Sequence, residues 1–283
     1  MMRTILVPFA PGLASESALD AALSLAKSMN SHIRPIFVRP HPTAALVNIP
    51  NTLVTTITRE AIDREGSRMA REEKVRFESW RSRHAIPSAP THNRLDSCFA
   101  SWFETVGEIE QVVTRYGRLS DLIVVQRFGH DDVTGQRCFD AALFGTGRPT
   151  LLVPEKLPWA MIDHVLVAWN GSLEASHAVF GTLPLLHEAS RVSIFTMPGA
   201  ENDQATAAEL AEALSWQGIR ADEAGIPEAT GSAGAALLGA AAQCNATMIV
   251  MGAYTHSRLR QSFLGGVTRH VLSEATIPVV MSH

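Results

Sequence analysis

The chain is poor in cysteine. Three residues, Cys98, Cys138 and Cys244, lie far apart and are odd in number. That argues against a disulfide framework and suits a reducing compartment. Long apolar runs are also missing: the longest, Ala235 to Ala242, falls far short of the roughly 20 residues that cross a bilayer. An early run, Ile5 to Ala10, follows Arg3 but is broken by Ser15, Glu16, Ser17 and Asp20, so no secretory signal is read there. Positive charge is not in surplus. With 24 Lys and Arg against 28 Asp and Glu, the net charge is −4, which argues against nucleic-acid and anionic-membrane partners. No Gly-Lys pair occurs, so there is no Walker A loop, and neither G-x-G-x-x-G nor G-x-S-x-G is present. Apolar residues are not lacking, at 46%, and this excludes a disordered chain. The expectation is a cytoplasmic globular protein.

At about 150 residues per domain, 283 residues make two domains. The pattern along the chain agrees. Residues 4–9 and 32–38 read as buried parallel strands, with a helix between them carrying Leu19, Ala22, Leu23 and Ala26 at helical spacing. Residues 57–84, rich in Arg and Glu, predict a long, mostly solvated helix. Residues 98–105 predict a strand, 107–118 a helix, and 121–125 and 149–153 two more strands. The order then restarts. His164 to Trp169 resembles residues 4–9, and Ser172 opens a helix. Strands follow at 191–196 and 246–251, helices at 203–216, 231–243 and 266–274, a weak strand at 219–225, and Ile277 to Met281 closes the chain. Ile5-Leu6-Val7 matches Val165-Leu166-Val167, Leu122 to Val125 matches Met248 to Met251, and Arg148 to Val153 matches Ile277 to Met281. A repeat of this length is a domain duplication. Residues 1–155 and 160–283 are the two domains, joined by Pro154 to Trp159. Alternating strands and helices predict an α/β fold, with a parallel sheet of about five strands in each half and helices on both faces.

In an open parallel sheet, ligands sit beyond the carboxyl ends of the strands. The most informative turn there is Met251-Gly252-Ala253-Tyr254-Thr255, continuing through Arg258 and Arg260 to Gly265-Gly266-Val267-Thr268. A strand runs into Gly252, a polar segment follows, and a glycine pair opens a helix. Glycines let backbone N–H groups approach an anion, and a helix N-terminus adds partial positive charge. The whole is a plausible phosphate cradle.

These residues resemble the nucleotide-binding motif of the universal stress protein family, G-x2-G-x9-G-[S/T]. Here the spacing holds as Gly252-x2-Thr255-x9-Gly265-Gly266, with Thr255 in place of the second glycine and Gly266 in place of the Ser or Thr. Asn170-Gly171-Ser172 resembles the family's Asp-Gly-Ser turn after the first strand. The resemblance implies two tandem Rossmann-like domains of the adenine nucleotide alpha hydrolase-like type. It implies ATP or a related nucleotide, with or without magnesium, held in the second half with little or no hydrolysis. The implied contacts are Ala168, Asn170, Thr196, Gly252, Thr255, Gly265, Gly266, Val267 and Thr268, and no catalytic residue is assigned. It also implies an intramolecular pseudo-dimer that pairs through Pro278 to Met281, and allows a homodimer. The Ser-Gly-Gly loop of relatives with pyrophosphatase chemistry is absent.

The first half keeps less of the motif. Ala10 stands opposite Asn170, Gln126 opposite Gly252, and Gln136 and Arg137 opposite the glycine pair, so this half reads as degenerate. His130, Asp131 and Asp132 lack further ligands, and a metal is not expected. His256 beside Ser257 has no elbow geometry to make a nucleophile and base. Arg258, Arg260 and Arg269 fit phosphate pairing and a solvated or dimer surface equally well. Cys244 reads as a small core residue, and Trp169 as a core residue before a stacking platform. Two other functions stay open: a nucleotide-free interaction module with a relic site, and an enzyme for another small molecule using Asn170 or His256.

Overall fold

The computed structural model describes residues 2–11, 13, 16–39, 56–89, 97–157, 161–196, 205–225, 231–253 and 266–283. Contacts divide the chain into two compact units, Met2–Thr146 and Gly147–His283.

The first unit runs β1 (Thr4–Phe9), α1 (Glu16–Met29), β2 (His32–Arg39), α2 (Thr56–Arg83), β3 (Phe99–Ala100), β4 (Phe103–Val106), α3 (Ile109–Gly117), β5 (Leu122–Gln126) and α4 (Val133–Gly145). β1 pairs with β2 and β5, and both β3 and β4 pair with β2, all in parallel. The strands are buried on both sides: Ile5, Leu6, Val7, Ile33, Phe37 and Leu122 to Val125 are at most 2% exposed. That is why they read as continuous apolar runs rather than alternating ones. Asp121 fastens the start of the sheet, its Oδ2 accepting from the backbone N–H groups of Arg3 at 2.8 Å and Thr4 at 3.0 Å.

The expected solvated helix is α2, 28 residues long, whose described side chains are mostly solvated, with Ala70, Phe77 and Trp80 buried. Its exposed face carries ion pairs at helical spacing: Arg68 with Glu65 and Glu72, Arg76 with Glu73, and Arg81 with Glu78. Such pairs shape the helix surface but stabilise it little. What fixes α2 is an aromatic cluster in which Phe77 meets Trp80 and Trp102, while Trp80 donates its indole N–H to Asp20 at 2.8 Å. α4 was not read from the sequence, because Gly135 and Gly145 interrupt its apolar spacing.

The second unit runs β6 (Thr150–Val153), β7 (His164–Trp169), α5 (Leu173–Gly181), α6 (Leu183–Glu188), β8 (Arg191–Thr196), α7 (Ala207–Trp216), β9 (Ala221–Glu223), α8 (Ala233–Gln243), β10 (Met248–Gly252), α9 (Gly266–Glu274) and β11 (Val279–Ser282). Its strand order is β6-β11-β10-β7-β8-β9. All neighbours are parallel except β6, which runs antiparallel to β11 with Leu151 opposite Val280. The fold is thus α/β with mostly parallel sheets flanked by helices, as the alternation predicted. The short α6 was not foreseen. It follows Gly181 directly with Pro184 in its first turn, and the buried Thr182 joins it to α5 by donating its hydroxyl to Ala178 O at 2.6 Å. Among the described residues, no helix is long and apolar enough to cross a membrane.

Candidate functional site

In the second unit the sheet grows outward from β7, first to β8 and β9 and then, on the other side, to β10 and β11. The order therefore reverses between β7 and β10, and in open α/β sheets the carboxyl ends at such a point are where a ligand crevice lies. Register brings several expected residues to this rim. Ala168 lies beside Met251, one residue before Gly252, and Trp169 lies beside Thr196. Asn170 follows directly. Ala168 is 4% exposed, so it offers the crevice mainly its backbone. Trp169 is a core group, 5% exposed, with its indole N–H donated to Ala205 O at 2.7 Å.

The turn after β7 is built from its own side chains. Asn170 Oδ1 accepts the N–H of Ser172 at 3.2 Å, and Gly171 supplies the positive φ of 73° that closes the turn. Ser172 then caps α5, its hydroxyl oxygen accepting from Ala175 N at 3.2 Å. The first-turn N–H groups of Leu173 and Glu174 have no acceptor among the described residues. Gly252 explains how this turn comes so close to β10. A Cβ there would lie 2.5 Å from Ala175 N and 2.7 Å from the Glu174 carbonyl carbon, both backbone atoms. Only glycine lets the strand end and the helix start touch.

Gly266, Val267 and Thr268 form the opening turn of α9. Gly266 is exposed, with nothing within 4 Å of where a Cβ would stand, whereas Thr268 is 3% exposed. Thr255 and Gly265 lie outside the described residues, as do His256, Ser257, Arg258 and Arg260.

The first unit treats the same positions differently. Gln126, opposite Gly252 in the repeat, reaches back so that its Oε1 accepts Ser17 N, in the first turn of α1, at 3.3 Å. Asp132 caps α4 by accepting Gly135 N at 2.8 Å, and Val133 N donates to Asp131 O at 3.1 Å. α4 opens at Val133, so Gln136 and Arg137, matched by sequence to the glycine pair, lie inside the helix. By helix start the counterparts are Asp132 and Val133. Gly135 serves packing here, since a Cβ would meet Phe128 Cβ at 2.4 Å. At these positions the first unit sets its own oxygens on Ser17 N and Gly135 N, whereas Leu173 N and Glu174 N of the second unit have no acceptor among the described residues.

Other groups singled out in the sequence serve structure. His130 and Asp131 are exposed and Asp132 is spent as a cap. Among the described residues, no cluster of three or more His, Cys, Asp or Glu could hold a metal ion. Burial pushes the Cys138 thiol far up, and raises that of Cys244 as well, which disfavours the reactive thiolate. Two histidines escaped the sequence reading. His164 donates Nδ1–H to Cys244 O at 2.8 Å and meets Ser193 Oγ through Nε2 at 2.8 Å, tying β7, β8 and the end of α8 together. His32 stacks on Phe99 with ring centroids 4.1 Å apart, and burial, with Arg34 nearby, lowers its pKa to about 4. No local spacing could have revealed them, since the partners of His164 are 29 and 80 residues away in sequence.

Comparison with known proteins bears on the fold. Residues 161–283 match the model of the Universal stress protein family. The crystal structure of a universal stress protein from Archaeoglobus fulgidus DSM 4304 superposes with a TM-score of 0.64 at 15% identity, covering 99% of this chain and 95% of that one. A functionally unknown protein from Pseudomonas aeruginosa PAO1 superposes with a TM-score of 0.53, also at 15% identity, covering 99% and 92%. Identities this low speak to fold alone. No curated protein matches the chain in sequence. The family match thus lies in residues 161–283, and the fold of a solved universal stress protein spans the whole chain.

Proposed function

We propose that the second half binds ATP or a related nucleotide in the crevice between the carboxyl ends of β7 and β10, and that the protein acts as a stress-response regulator with little or no hydrolysis. The observation that carries this reading is the bare opening turn of α5, pressed against Gly252 at the point where strand order reverses. Helix N-terminal N–H groups without acceptors favour an anion. In this reading Ala168, Asn170 and Thr196 line the nucleoside end. Gly252, Thr255, Gly265, Gly266, Val267 and Thr268 surround the phosphates, and magnesium arrives on the phosphates rather than on protein ligands. Binding is mostly through backbone. No residue assigned to the pocket is a carboxylate or histidine that could activate water, so turnover is slow or absent.

Calorimetric titration of magnesium ATP into the purified chain tests this, with Gly265→Val alongside. Micromolar binding that disappears in the variant is the expected result. No heat at millimolar ATP would overturn the proposal and favour the second reading, an interaction module with a relic site. That reading draws on Gln126 and Asp132, which show how readily this architecture stands on its own side chains.

A further inference from the structure

The outer edge of the first unit is open. β3 and β4 both pair with β2 on one side, and among the described residues no strand lies on their other side. The amides of Ser101 and Gly107 donate to Ile33 O at 3.2 Å and Arg39 O at 2.9 Å. The register is constant between them, so alternation turns the N–H and C=O groups of Glu104 and Val106 outward. Charge or a covering element usually blunts such an edge. Here Glu104 is spent on Arg39, 2.8 Å away, and β4 still exposes Phe103 at 39% and Val106 at 41%.

One face of this edge is cationic. Phe103 packs on Tyr116 of α3 with ring centroids 5.3 Å apart. Arg34 of β2 and Arg115 of α3 lie 5.9 Å and 5.5 Å from the same Tyr116 ring. Neither guanidinium has a carboxylate partner among the described residues, because Glu108 and Glu110 are committed to Arg137. Glu104 alternates with Phe103 and so lies on the opposite face. That face holds one cation, Arg39, shared between Asp63 and Glu104.

We propose that β4 takes up an extended segment of a partner protein as an added strand, with a carboxylate of that segment meeting Arg34 and Arg115. Main-chain bonds to Glu104 and Val106 supply affinity, and side-chain alternation supplies selectivity. Residues of the segment on either side of the acid fall on the face of Asp63 and Glu104, where like charge is disfavoured. This docking is independent of nucleotide binding in the second half.

The test selects short random peptides, displayed on phage, against the full chain. Enriched peptides are then synthesised and titrated by fluorescence anisotropy. They are expected to carry Asp or Glu at one position, with no acid immediately beside it. Arg34→Gln combined with Arg115→Gln should weaken them about three- to tenfold at about 0.1 M salt, and less at about 0.5 M. Methylating alternate backbone amides of the peptide should abolish binding in one phase and spare it in the other. That comparison uses the native chain, so it depends on no variant folding. Val106→Pro removes only an outward N–H, which an edge strand tolerates, and should also weaken the peptides. Enrichment without an acidic position, equal affinity for the double variant, or indifference to methylation in both phases would each overturn the proposal. A dimer seen by sedimentation and lost in Val106→Pro would assign the edge to a second copy instead, and would overturn it too.

Discussion

Gly252 stood out in the sequence as a motif glycine, where the physical reason was close approach of backbone to a ligand. In the structure its first constraint is the protein itself, because α5 backbone atoms occupy the place of a Cβ. Gly252→Ala must push α5 off β10, and overpacking of this kind costs about 1–3 kcal/mol. A lowered urea midpoint with unchanged m-value is the expected outcome. His32 gives a second prediction at this scale. Its pKa falls from 6.5 to about 4 on folding, so the unfolded chain takes up the proton first as pH drops. His32 therefore costs no stability above about pH 6.5, and destabilises the fold progressively between there and pH 4. Thermal melts at pH 7 and pH 5 should show a smaller acid-induced drop in Tm for His32→Gln than for the native chain. An equal drop would mean that His32 is not the titrating group. His32 was not legible as a sensor, because its environment is made by Phe99 and Ser101, far along the chain.

At the scale of elements, the strands were the most legible feature. Short Val-, Ile- and Leu-rich runs are what parallel strands buried on both sides require. The long Arg- and Glu-rich helix was also legible, but its anchor was not. Charge spacing predicts α2, whereas Phe77 and Trp80 decide where it lies. Phe77→Ala is expected to cost about 3–5 kcal/mol, while Arg76→Ala, on an exposed i,i+3 pair, should leave the unfolding midpoint within error. Equal effects would refute the assignment. α4 and α6 were not legible because glycine and proline dilute their apolar spacing. Gly135 and Gly145 are instead sites of close packing against Phe128 and Thr114, and Pro184 sits in the first turn of α6, where a missing N–H is harmless.

For the whole molecule, duplication was visible as a restart of the strand pattern, and the matching fold of a two-unit chain follows from it. The difference between the halves was visible only as lost glycines. What replaced them could not be read, because a capping oxygen is recognised by where it points, not by its spacing. Gln126 and Asp132 each take a helix N–H in the first unit. Under the proposed function the chain binds one nucleotide, and Gln126→Ala combined with Asp132→Ala should lower stability by about 1 kcal/mol per cap without changing ATP affinity. Urea unfolding and calorimetry check the two halves of that statement. A stoichiometry of two would contradict it.

The oxygens set on α1 and α4 by Gln126 and Asp132 have one further consequence. A tethered oxygen is present at fixed occupancy whatever the cell's metabolite level, whereas a bound phosphate comes and goes with supply. Under the proposed function the opening amides of α1 and α4 should thus exchange hydrogen at a rate indifferent to ATP, while those of α5 slow as ATP is added. One polypeptide then contains both a gauge and its zero mark, and the ratio of the two exchange rates reports ligand level without reference to protein concentration.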